Sequence, residues 1–92
     1  MVEVRAAIDR LDRQIVALLG ERFRYIEAAA RIKQDLEAVR DELRIADVIE
    51  KVRRSAVAAG VPPELAEDLY RQLVEVSVAY ELEKFSQKGE AA

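Results

Sequence analysis

The sequence predicts an all-α fold of three helices, the first so long that it pairs with a second copy of the chain in a homodimer. Three observations carry this reading. Apolar residues recur three and four apart along most of the 92 residues, and no stretch alternates with the period of a strand. Glycine and proline, the usual helix breakers, number only 3 and 2. The whole of 1–92 reads as one small domain.

The first helix is expected from about Val2 to about Leu36. Val4, Ile8, Leu11, Ile15, Leu18, Leu19, Ile26 and Ala29 form its stripe, and no proline precedes Pro62. Asp9–Arg13 and Glu27–Arg31 are i,i+4 pairs in the favourable acid-first order. Gly20 is the one candidate stop, at a cost of about 1 kcal/mol relative to alanine, but the stripe continues in phase across it. Such a helix is roughly 50 Å long. A compact chain of this size has a radius of gyration of about 12 Å and a diameter near 30 Å. The helix therefore either breaks at Gly20 or protrudes to find another chain, and the unbroken stripe favours the second.

A second helix is expected over Asp41–Ala59, with Ile45, Val48, Ile49, Val52 and Ala56 inward and Gly60 as a left-handed cap. Pro62 and Pro63 open the third, Pro63–Gln87, with Leu65, Leu69, Leu73, Val76 and Tyr80 inward. The polar, small-residue tail 86–92 is expected to fray.

Composition excludes much chemistry. With no histidine and no cysteine, Ser-His-Asp and Cys-His arrangements, thiolate metal sites and disulfides are ruled out. No metal and no cofactor are expected. A net charge of −3 and 5% aromatics supply neither a basic field nor a stacking surface for nucleic acid. No apolar run reaches the length of a membrane span and no signal peptide is visible, so a cytoplasmic location is expected. The cations are 11 Arg and 4 Lys, a balance suited to bidentate contacts with carboxylates.

Two of these cations stand where apolar residues belong. Arg22 and Lys33, eleven residues apart, fall on the first helix's stripe and point the same way, about 16 Å apart at the backbone. They suit a small anion held between them. Internal pairing with acids such as Glu75 or Glu81 is the plainer alternative. Ser77 and Glu81 share a face of the third helix, where Ser77 reads equally as a packing residue and Glu81 as a partner of Lys84. Asp41 reads as a first-turn carboxylate and Arg44 as a surface charge. Arg5 lies about 100° around the helix from Arg22, so both cannot serve one spot from one chain.

Taken together, Arg5-x-x-Ile8-x-x-Leu11-Asp12, Leu18-Leu19-x-x-Arg22, Lys33, Val39-Arg40-Asp41-x-x-Arg44 and Ser77-x-x-x-Glu81 resemble the all-helical chorismate mutase family from Val4 to about Phe85. The resemblance implies an intertwined dimer whose long first helices pair. It also implies a small dicarboxylate substrate, with Arg22 on one carboxylate and Arg5, from the other protomer, on the second. By the same resemblance Lys33 serves the ether oxygen, Glu81 faces that oxygen, Asp41 and Arg44 line the pocket, and Ser77 lies near a carboxylate.

Two positions depart from the common mutases. Ile45 stands where many carry a glutamate for the ring hydroxyl, and Glu81 where bacterial members carry glutamine. An apolar residue at the first place is shared with isochorismate-pyruvate lyases, to which Tyr25-Ile26-x-Ala28-Ala29-Ala30-Arg31-Ile32-Lys33 is also similar. The expected activity is chorismate mutase, the family's default. The alternatives are the lyase, a mutase of 4-amino-4-deoxychorismate, and a non-enzymatic helical dimerisation module.

Overall fold

The chain forms α1 (Val2–Ile32), one 3₁₀ turn (Leu36–Ala38), α2 (Glu42–Ala59) and α3 (Pro63–Ala91) in a computed structural model that describes residues 1–91, with side chains described through Gly89. No strand occurs among the described residues. The fold is all-α, as the periodicity predicts, and α3 packs against both α1 and α2.

α1 does not break at Gly20. It projects: the radius of gyration is 15.9 Å, against about 12 Å for a compact chain of this length, and the longest dimension is 52 Å. Along its first half Val4, Ile8, Leu11 and Ile15 are each about half exposed, Ile8 at 50%. Its last turns are packed, with Ala30 only 1% exposed.

The helix ends at Ile32, earlier than its pattern predicts. Lys33 adopts φ −63°, ψ 140°, and the Asp35 side chain accepts a 2.9 Å bond from the Ala38 N–H. That local aspartate–backbone bond offers the chain an alternative to further helix and starts the 3₁₀ turn. Glu27, expected to pair with Arg31, instead accepts a hydrogen bond from the Tyr80 hydroxyl. This carboxylate raises the phenol's pKa, with burial adding to the effect.

α2 buries the expected face, with Ile49 and Ala56 innermost. Asp41 is its N-cap, accepting from the Arg44 N–H at 3.1 Å. Gly60 closes it at φ 75°, a left-handed conformation that suits glycine.

On α3 the inward face differs in part from the predicted one: Leu73 and Tyr80 are half-buried as expected, Tyr80 against Phe23 of α1. Leu65, Leu69 and Val76 are exposed, while Val74, Ser77 and Glu81 are buried. α3 has apolar residues on two sides, and the side that meets its own chain is the one that turns polar. Residues 86–91, expected to fray, continue α3, because Lys88 reaches back to the end of α1. The same expectation for Ala92 lies outside the described residues.

Candidate active site

Between the packed end of α1, the start of α2 and the middle of α3 lies a cavity of about 440 Å³. Arg22, Lys33, Asp41, Arg44, Ile45, Ser77 and Glu81 all line it. Arg5 does not. It sits 17 residues before Arg22, roughly 25 Å along the same straight helix, and is exposed.

Each wall follows from helix geometry. Val74, Ser77, Val78 and Glu81 are spaced 3, 1 and 3 apart, one face of α3. Ile45 and Val48 are one turn apart on α2, and Tyr25, Ile26 and Ala29 extend the Arg22 face of α1. The apolar lining residues Tyr25, Val48, Val74 and Val78 were not singled out as site residues from the sequence, although their spacing from Arg22, Ile45, Ser77 and Glu81 is the signal that finds them. Val39, 4% exposed, lines the cavity from the connection between α1 and α2. The next residue fastens that connection: Arg40 makes a two-pronged contact with Glu75 at 2.9 and 3.0 Å and a 2.8 Å contact with Glu42. Both acids raise the Arg40 pKa further, and Arg40 in turn lowers that of Glu75.

The polar groups are arranged as donors facing inward. Lys33 Nζ donates to both oxygens of Glu81, at 2.8 and 3.1 Å. Glu81 is only 4% exposed, so the plainer reading of it as a solvated charge or a partner of Lys84 does not hold. The internal pairing expected as an alternative is thus realised for Lys33. It is not realised for Arg22, which has no carboxylate partner among the described residues. Arg22 Nη1 donates to Ser77 Oγ at 2.7 Å, and the guanidinium lies 5.6 Å from the Tyr70 ring centroid. Ser77 Oγ in turn donates to the Leu73 carbonyl at 2.6 Å, the helix back-bond predicted for it. Its hydroxyl therefore presents a lone pair to Arg22 and fixes the guanidinium, leaving other N–H groups of the fork to bind an anion.

Arg44 is exposed and pairs with Asp47 at 2.8 Å, as a surface charge would, yet its side chain borders the cavity. The cavity thus brings Arg22, Lys33 and Arg44 together with Asp41 and Glu81. A second hollow of about 480 Å³, between α2 and the start of α3, is rimmed by Arg53, Arg54 and Arg71. There Glu67 holds Arg53 at 2.8 Å and Arg71 at 2.7 Å, so those guanidinium groups are already matched. No group of three metal-ligating side chains occurs among the described residues, and no described helix is long and apolar enough to cross a membrane.

What this geometry offers is a small, half-apolar chamber with fixed cationic donors and one buried carboxyl. Such an arrangement suits binding and electrostatic stabilisation of an anion. Comparisons with known proteins agree with the resemblance in the sequence. The profile of the family "Chorismate mutase type II" matches residues 4–82. An isochorismate pyruvate lyase of Pseudomonas aeruginosa is 32% identical over 92 residues, covering 100% of this chain and 91% of that protein. The chain belongs to the type II chorismate mutase family.

Proposed function

We propose that the protein is a pericyclic enzyme acting on a chorismate-type enolpyruvyl dicarboxylate, with chorismate mutase, chorismate to prephenate, as its activity. The observation that carries this reading is Arg22 and Lys33 set on one cavity wall opposite a buried Glu81. In the rearrangement the ether C–O bond breaks as a C–C bond forms, and no proton changes hands. Catalysis then consists of holding the enolpyruvyl arm in reactive geometry and stabilising negative charge on the ether oxygen. Arg22 holds one carboxylate. Lys33 donates to the ether oxygen, while Asp41, Arg44 and Ile45 bound the ring and Ser77 steadies Arg22.

The second carboxylate needs Arg5 of the partner subunit. A homodimer is supported by the half-exposed stripe on α1 and by Leu65, Leu69 and Val76 on the outer side of α3. Fully burying a side chain of this size contributes about 1.5–3 kcal/mol.

A second reading, isochorismate-pyruvate lyase, is favoured by Ile45 in the wall and by the similarity to the Pseudomonas aeruginosa protein. Supplying chorismate, isochorismate and 4-amino-4-deoxychorismate separately, and assaying prephenate, salicylate and pyruvate, decides among the substrates. Prephenate from chorismate is the expected result, and salicylate with negligible prephenate makes the lyase reading correct. A bicyclic dicarboxylate mimic of the transition state should raise the melting temperature. No response, with no turnover, would leave a dimerisation module without catalysis.

A further inference from the structure

The far end of α3 grips the residue on which the chemistry depends. Lys88 Nζ lies against the C-terminal end of α1 and donates to the carbonyls of Ala30 at 2.9 Å, Arg31 at 3.2 Å and Lys33 at 2.5 Å. The Phe85 ring lies beside it, its centroid 4.6 Å from the ammonium. Three donors meet three acceptors, so the ammonium's hydrogen-bonding capacity is used in full. Carbonyls at the end of a helix lack partners within it, and the negative end of the helix dipole favours a cation there.

The Lys33 bond differs in kind from the other two. Lys33 has already left the helix, and its own side chain returns to Glu81. Lys33 is thus held at both ends by α3, its carbonyl by Lys88 and its ammonium by Glu81. Those two residues are seven apart, two turns along one face, so a single rigid helix spans the whole grip.

We propose that Lys88 is a positioning residue: by pinning the main chain of Lys33 just past the end of α1, it sets how far the Lys33 ammonium reaches into the cavity. The proposal rests on the catalytic role given to Lys33 above. Without Lys88, the extended residue after α1 is held on its α3 side only through a flexible side chain, and the donor loses its preorganisation.

Lys88→Met keeps the apolar stem and removes the donors. It should lower kcat roughly 10- to 100-fold while changing KM less than about twofold. Lys88→Arg, which keeps charge and donors, should recover most of the rate. Lys84→Met, removing a charge one turn earlier, should leave kcat unchanged. In a Lys33→Ala background, Lys88→Met should produce no further loss, because its effect passes through Lys33. Equal losses from Lys88→Met with and without Lys33, or a loss shared by Lys84→Met, would overturn the proposal. An arm independent of turnover is the ¹⁵N signal of the Lys33 ammonium, visible while the group is held on Glu81. It should broaden in Lys88→Met and persist in Lys88→Arg. An unchanged signal in Lys88→Met overturns the positioning role even if the protein melts earlier. Absence of turnover by wild type on every substrate, with the signal responding as expected, instead removes the proposed reaction and leaves the grip intact.

Discussion

The two halves of α1 share one helix, one stripe and one spacing, yet they have opposite surroundings. From Arg22 to Ile32 the helix lies on α3 and helps to wall the cavity, and Ala30 is buried. From Val2 to Leu18 the same pattern of isoleucines and leucines stands half exposed. Periodicity reports that a face is to be covered. It does not say by which chain. The packed half is covered within the protomer, whereas the projecting half, with Arg5 on it, is the part assigned above to the proposed partner subunit.

The largest expected effect tests that division directly. Arg5→Ala and Arg22→Ala should each lower activity about 100- to 1,000-fold, the usual cost of one preorganised donor. Mixing the two variants after unfolding and refolding should restore about a quarter of wild-type activity, since half the dimers are mixed and each then has one intact site of two. If mixing restores nothing, Arg5 does not cross between protomers.

Next in size is the apolar stripe. Ile8→Asp should convert the proposed dimer to monomer in sedimentation, with a stability loss that depends on protein concentration. Ala30→Leu, in the packed half, should instead cost about 1–3 kcal/mol by overpacking, at any concentration. The same concentration dependence for both would erase the distinction between the halves.

Glu81 sharpens the packed half. Its carboxylate holds Lys33 and would repel charge growing on a substrate oxygen, whereas a carboxamide there leaves Lys33 freer and can donate a bond itself. Glu81 faces Lys33, with Arg22, Asp41 and Arg44 around the same cavity. Glu81→Gln should therefore keep or exceed the wild-type rate. Loss of most activity in Glu81→Gln would show that the carboxyl group itself is needed.

A smaller effect belongs to the connection that closes the packed half. Arg40 holds the Glu75 carboxyl below its ordinary value of 4.5. A carboxyl with a lowered folded-state pKa adds stability above its unfolded value and loses it as pH falls through the folded one. Acid unfolding of Glu75→Gln should accordingly be less steep below about pH 4.5 than that of wild type. The contribution is small because both side chains are largely in water.

Smallest of all is Gly20, at the junction of the two halves. A Cβ there would meet only Arg24 Nη1, at 3.8 Å, which is ordinary contact. Gly20→Ala should stabilise the protein by up to about 1 kcal/mol. Destabilisation would instead place a neighbouring backbone against Gly20 in the dimer.

What was legible in the sequence divides along similar lines. The inward face of α2 and the left-handed Gly60 were readable because local pattern and tertiary contact agree there. The end of α1 was not, because it is set by a local bond of Asp35 and by Lys88, which contacts Lys33 across 55 residues. Nor was the inward face of α3, since hydropathy points to the leucine side while Ser77 and Glu81 face the protomer's own interior. Arg22 and Lys33 stood out as cations on an apolar stripe. Asp41, Arg44, Ile45 and Ser77 were singled out by family resemblance, their own chemistry being compatible with surface or packing roles.

The ring beneath Arg22 has a practical corollary. The protein contains no tryptophan and only three tyrosines. Tyr25 lines the cavity, Tyr70 lies against the Arg22 guanidinium, and Tyr80 donates to Glu27. One of the three emitters therefore lines the cavity and a second lies against Arg22, so a ligand that draws Arg22 toward itself alters the near-ultraviolet emission without any attached dye. The unlabelled protein is its own optical gauge of occupancy.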